Sequence, residues 1–193
     1  MKLSMRWFGP DDPVSLSQIR QIPGVRTVVS TCHAPAGQPW VAAEVQLLRQ
    51  HAEQYNLSFA VVEGLPVHES IKLGDAQRDR YIENYIETIR ILGQQGIKVA
   101  CYNFMPVFGW IRTNLQKKLP DGSSTLSFDW EELSKIDPEA NELSLPGWNF
   151  SSRKEEIAEL MDGYHKLGHQ GLQRNLQYFL EAVVPEGSGK SRC

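Results

Sequence analysis

Apolar residues run along this chain in two alternating rhythms. Short blocks of consecutive β-branched and apolar residues fall at 3–7, 25–30, 57–62 and 97–103. Blocks of that length bounded by turn residues read as buried strands. Between them the apolar positions recur three or four residues apart, which reads as helix. A short helix is expected at 15–21, stopped by Pro23 and Gly24, and a longer one at 41–55 with Val45, Leu48 and His51 or Ala52 on one face. A third is expected at 76–95, with Tyr81, Tyr85, Ile89 and Leu92 as its core stripe and Gly96 as its stop. Strand and helix alternate, so the pattern predicts α/β with a parallel sheet built from successive βαβ units.

Past residue 113 the rhythm breaks. Pro120-Asp-Gly-Ser-Ser124 reads as a hairpin-like turn, and Ile136-Asp-Pro138 and Leu145-Pro-Gly147 interrupt any helix. An irregular excursion over 113–150, placed after the fourth strand, is expected on the strand-end side, where it could cover a site. Residues 151–184 return to helix, with Ser152 and Glu155 as a capping box and Leu172, Leu176, Phe179, Leu180 and Val183 as an apolar face. Gly168 and Gly171 are expected to divide it in two. A polar tail, 186–193, follows with no further strand.

Composition narrows the class. Hydrophobic content of 41% and charged content of 22% are those of a soluble globular chain. A net charge of −3 argues against a nucleic-acid surface, which is normally basic. No apolar run is long enough to span a membrane, and the N-terminus has no signal-peptide core. Cys32, Cys101 and Cys193 are too few and too scattered for a disulfide framework. A reduced, cytoplasmic protein without nucleic-acid or membrane partners is the expectation.

Candidate chemistry gathers after the strands. The segment 99–113 begins as a buried strand and passes without a break into Asn103, Trp110 and Arg112. In α/β proteins ligands bind just past the C-terminal ends of the strands. Arg112 is a fork donor suited to a carboxylate, and Trp110 offers a face for a substrate chain. The plain alternative is a surface salt bridge beside a core tryptophan. Asn103 is poor strand material and harder to explain as packing. His68 follows the third strand in Pro66-Val-His-Glu69, flanked by Glu63 and Glu69, which could orient or charge it. A lone histidine is more often structural. Cys101, inside the fourth strand, reads as a small core hydrophobe.

Other motifs carry less. Gly187-Ser-Gly-Lys-Ser191 resembles the end of a phosphate loop, but Val184 stands where that loop needs glycine. His165 and His169 have the spacing of a helical metal pair, yet Lys166 replaces the neighbouring glutamate and Gly168 weakens the helix between them. No dinucleotide fingerprint follows any strand, which disfavours a nucleotide-binding doubly wound sheet. Because the strand ends carry functional-looking side chains, a barrel is the preferred architecture, although periodicity alone does not separate the two. No nucleophile–base pair and no cluster with metal spacing is visible.

Several segments together resemble the N-terminal part of the mannonate dehydratase family. They are Arg6-Trp-Phe-Gly-Pro-Asp-Asp-Pro-Val14, Pro66-Val-His-Glu69, Tyr81-Ile-Glu-Asn-Tyr85, Cys101-Tyr-Asn-Phe-Met-Pro-Val107, Leu119-Pro-Asp-Gly-Ser123 and Leu145-Pro-Gly-Trp148. The resemblance runs to about residue 185. It implies a TIM-type (β/α)8 barrel of the xylose-isomerase-like kind, of which 1–185 supplies the first four βα units. It further implies a hydro-lyase of hexuronate and glucuronate breakdown that converts D-mannonate to 2-dehydro-3-deoxy-D-gluconate and water with Mn²⁺ or Fe²⁺. The family's metal ligands and its acid/base residues lie in later strands, so no catalytic or metal-ligating residue is expected in this chain. Strand-end position, rather than the resemblance, makes His68, Asn103, Trp110 and Arg112 the expected substrate-binding residues. Gly109, Asn114 and Ser70 stand where the family usually has aspartates. Residues 186–193 depart from it altogether. The expectation is an interrupted, inactive half-barrel; the alternatives are a non-catalytic sugar-acid-binding remnant, or a half-barrel that forms a homo-oligomer or needs a complementing C-terminal half.

Overall fold

The computed structural model describes residues 3–32, 34–133 and 153–184, with backbone alone at 144–145 and 148–149. The Ser152 cap, the turn at 136–138, the 187–191 run and the 186–193 tail lie outside the described residues. The chain divides into two compact units, residues 1–104 with 169–193 and residues 105–168.

In the first unit four strands, β1 (Ser4–Arg6), β2 (Thr27–Ser30), β3 (Ser58–Pro66) and β4 (Val99–Asn103), form one parallel sheet in the order β1-β2-β3-β4. Between them lie α1 (Leu16–Gln21), α2 (Ala42–Gln54), α3 (Glu69–Leu73) and α4 (Arg78–Gln94). Helix α1 starts at a reciprocal cap: the Ser15 hydroxyl accepts from the Gln18 N–H at 3.3 Å, and the Gln18 side chain accepts from the Ser15 N–H at 2.8 Å.

Alternation along the strands sorts the sheet into two faces. Met5, Val28, Phe59 and Val62 meet Ile19, Val45, Ala52, Ile82 and Leu92 of the helices, and this layer is the core. The C-terminal part of α6 (Lys154–Val183) closes it, with Phe179 fully buried among Tyr85, Tyr102 and Phe104. The opposite face carries Arg6, Val29, Val61, Glu63 and Val99 and is only partly covered.

The expected strands and the three longer helices are all present, with ends shifted by a few residues. The third strand runs on to Pro66 through a register shift between Glu63 and Leu65. Helix α3 has no counterpart in the periodic reading, because five residues are too few to show a period. Two expectations about the fourth strand are corrected. Residues 99–102 are exposed rather than buried, with Val99 at 49% and Tyr102 at 42%, and Cys101 is exposed rather than a core hydrophobe. The cause is position: among the described residues β4 pairs with β3 alone. The buried cysteine is Cys32, whose thiol is pushed up to about 12 by burial and by the nearby Glu44 carboxylate.

In the second unit β5 (Asn114–Lys118) and β6 (Ser124–Ser127) pair antiparallel around the 120–124 turn. The Leu119 N–H donates to the Ser123 carbonyl at 2.9 Å, and the Asp121 carboxylate accepts from the Ser123 N–H at 3.0 Å. The hairpin-like turn is thus a true hairpin. A short helix, α5 (Trp130–Leu133), and a two-residue pairing of β7 (Ser144–Leu145) with β8 (Trp148–Asn149) follow. Ile157 of α6 packs with Val107, Phe108, Ile111 and Leu133. Helix α6 is broken at Gly168, at φ 66° and ψ 172°, while Gly171 lies within the helix.

Candidate functional site

The C-terminal ends of the parallel strands are where the polar groups of the first unit collect. Arg6 ends β1, and its Nη1 donates to the Glu63 carboxylate and to the Glu63 backbone carbonyl, each at 3.2 Å. The guanidinium carbon sits 4.8 Å from the centre of the Phe8 ring, a cation–π distance. Register carries this face onward, since Arg6 pairs with Val29, Val29 with Val61, and Glu63 with Cys101. Cys101 and Asn103, two residues apart on β4, share it. Asn103 ends β4 opposite Pro66, and its amide nitrogen lies beside Gly64.

His68 is built into the loop that follows β3. It is the N-cap of α3, where its Nδ1 accepts from the Ser70 N–H at 3.1 Å. A backbone N–H can only donate, so the neutral ring carries its proton on Nε2. The ring stacks on Tyr81 of α4, centroids 3.6 Å apart and planes within 15°. Burial lowers its pKa below 6.5; Glu69 and Asp75 pull the other way, and Lys72 adds to the lowering. Of the two flanking glutamates, Glu63 pairs with Arg6, while Glu69, ion-paired with the buried Lys72 at 2.6 Å, acts electrostatically on His68.

Residues 34–40 lie against this stack. Gly37 has φ +85°, and a Cβ there would stand 2.7 Å from both His68 and Tyr81. The segment is pinned to α4 twice. The Asn84 side chain donates to the Gly37 carbonyl at 2.8 Å, and the buried Thr88 hydroxyl accepts from the Trp40 N–H at 3.1 Å. Together Gly37, Trp40, Pro66, His68, Tyr81 and Thr88 border a small cleft.

Trp110 and Arg112 belong to the second unit. Trp110 is 71% exposed, which removes the reading of a core tryptophan. The Arg112 guanidinium carbon lies 5.5 Å from the Trp110 ring centre, and its Nη1 donates to the Ile111 carbonyl at 2.8 Å. A guanidinium steadied this way keeps a planar edge suited to a carboxylate. Thus His68 and Asn103 stand in one unit and Trp110 and Arg112 in the other. The Arg6–Glu63 pair has one signal in the sequence, an arginine directly at a strand end, and nothing local names its partner.

The sequence model of the D-mannonate dehydratase (UxuA) family matches residues 1–189. The chain belongs to the mannonate dehydratase family. The mannonate dehydratase of Oceanobacillus iheyensis is 50% identical over 186 residues, which cover 96% of this chain and 53% of that protein. That of Streptococcus uberis is 46% identical over 187 residues, covering 96% of this chain and 54% of that protein. The crystal structure of mannonate dehydratase from Streptococcus suis serotype 2 superposes with a TM-score of 0.83 at 39% identity, covering 95% of this chain and 49% of that one. The chain therefore spans about half the length of the curated relatives it matches. Among the described residues no group of three or more His, Cys, Asp or Glu side chains could hold a metal ion. Gly168 breaks the helix between His165 and His169, so those two do not share one regular helical face. No described helix is long and apolar enough to cross a membrane.

Proposed function

We propose that this chain forms the first half of a TIM-type mannonate dehydratase barrel and supplies part of its substrate surface. The observation that carries this reading is the family match over residues 1–189. The sequential parallel order β1-β2-β3-β4, with helices on one face, supports the barrel half of it.

The reaction removes water from D-mannonate. The proton on C2, beside the carboxylate, leaves to a base, the C3 hydroxyl takes a proton from an acid and departs as water, and the resulting enol becomes the 2-keto group of 2-dehydro-3-deoxy-D-gluconate. A proton beside a carboxylate is weakly acidic, so the developing charge needs cationic support. In the family reading Mn²⁺ or Fe²⁺ supplies it. The described residues of this chain do not fit such an ion. Their part is recognition: in the first unit Asn103 and the Nε2–H of His68 offer hydrogen bonds suited to sugar-acid hydroxyls, and in the second Arg112 offers a fork suited to a carboxylate and Trp110 an apolar face.

In this reading the protein serves hexuronate breakdown in the cytoplasm, and the isolated chain holds the sugar acid without turning it over. Titration calorimetry with D-mannonate, alongside an assay for the 2-keto product in the presence of Mn²⁺, tests both parts. Saturable binding without product is the expected result. Product formation by the chain alone overturns the assignment of a binding role, and absence of binding overturns the substrate surface.

A further inference from the structure

Three residues of α4 converge on His68. Tyr81, Asn84 and Thr88 stand at positions i, i+3 and i+7 of that helix, so their side chains leave it on the same side. The periodic reading gives Tyr81 a place in the core stripe. In the structure it is half-buried, and its ring lies flat on the His68 imidazole, centroids 3.6 Å apart and planes within 15°. Asn84 and Thr88 act on the same imidazole at one remove. Asn84 donates to the Gly37 carbonyl at 2.8 Å, and Thr88 accepts from the Trp40 N–H at 3.1 Å. These two contacts hold the backbone of Gly37 against the Cδ2 edge of the ring.

The imidazole is thereby fixed on three sides. The Ser70 N–H meets Nδ1 on one edge at 3.1 Å, Gly37 meets Cδ2 on the other, and Tyr81 covers a face. A half-turn about Cβ–Cγ would exchange Nδ1 with Cδ2 and leave the Ser70 N–H facing carbon. An Nδ1 that accepts places the proton on Nε2. We propose that Tyr81 is a positioning residue: with the Asn84 and Thr88 contacts behind it, its ring holds His68 in one orientation and one tautomer, so that Nε2–H is a fixed, uncharged donor to a hydroxyl oxygen of the sugar acid. The ligand in that statement rests on the function proposed above, whereas the positioning stands on the contacts alone. A donor ordered before the ligand arrives spares binding the cost of ordering it, so Tyr81 adds affinity through His68.

Nitrogen-15 NMR of the full chain with labelled histidine, at pH 7.5, reads the tautomer directly, and His68→Asn assigns the His68 signals by removing them. A single Nε2–H form is expected. Tyr81→Leu keeps apolar bulk without a ring and is expected to give a mixture of the two neutral forms; Tyr81→Phe restores the ring and the single form. Should Tyr81→Leu fail to fold, Asn84→Ala, which releases Gly37 from the ring edge, carries the same expectation of mixing. A mixture in the unaltered chain overturns the proposal, and so does a single form that survives in the folded variant. Titration with D-mannonate supplies the second readout. Tyr81→Leu is expected to weaken binding about fivefold, the scale of one neutral hydrogen bond, and to add no loss in a His68→Asn background. A loss that persists in that background overturns the route through His68. The expected NMR pattern in a chain that does not bind D-mannonate overturns the substrate surface alone, whereas binding by a chain whose His68 is already mixed overturns the positioning alone.

Discussion

The imidazole of His68 lies flat on the ring of Tyr81, centroids 3.6 Å apart, and the backbone of Gly37 lies against the edge of that stack. A cap at the start of α3, an aromatic of α4 and the segment after β2 thereby meet at one point. That junction shapes the cleft beside the strand ends, and it is open to direct test.

Gly37→Ala is expected to disturb the junction twice over. The added methyl group would stand 2.7 Å from His68 and Tyr81, in a backbone region that L residues rarely adopt. Strain and overpacking of this kind cost about 1–3 kcal/mol each. Thermal unfolding followed by circular dichroism should show the midpoint falling by several degrees; an unchanged midpoint would remove the close approach from the account.

The cap on α3 is expected to weaken in acid. Burial holds the folded-state pKa of His68 below its ordinary 6.5. The unfolded chain therefore takes up the proton first, and protonation would also abolish the Nδ1 acceptor. The contribution to stability is full above the unfolded pKa and is lost as pH falls below it, through the folded pKa. Urea midpoints measured from pH 7.5 down to 5 should decline, and less steeply in His68→Asn, which keeps a capping side chain without titrating.

Thr88 links two elements through one hydroxyl, accepting from the Trp40 N–H and donating to the Asn84 carbonyl at 3.2 Å. Thr88→Val keeps the shape and strands a buried backbone donor, which costs about 1–3 kcal/mol. Limited proteolysis should find residues 34–40 more easily cut in the variant. Equal cleavage would mean that Asn84 alone pins the segment.

Phe179 is fully buried among Tyr85, Tyr102 and Phe104. Phe179→Ala is expected to cost about 3–5 kcal/mol through lost burial and the cavity left behind. Chemical denaturation should register it as a large shift in midpoint.

Arg112→Ala is expected to weaken D-mannonate binding by about tenfold, the scale of one lost charge-assisted hydrogen bond. Binding of neutral D-mannitol should not change. Calorimetry with both ligands decides it, and an equal loss for the two would assign Arg112 to the architecture of its unit instead.

Much of this protein was legible in its order of residues. Local rhythm is a property of consecutive side chains, so the strands and long helices could be read from spacing, and Gly168 could be recognised as a break because it sits within a helical pattern. The family could be recognised from short motifs in sequence order. Other features depended on residues far apart in the chain. That β4 has β3 alone beside it among the described residues is a matter of sheet order, and no pattern within Val99–Asn103 encodes its neighbours. The pairing of Glu63 with Arg6 joins residues 57 positions apart, brought together by parallel register across β2. Likewise, His68 became a cap and a stacking partner only when α4 and residues 34–40 folded against it. Periodicity decides which residues are buried within an element; packing between elements decides which polar groups meet.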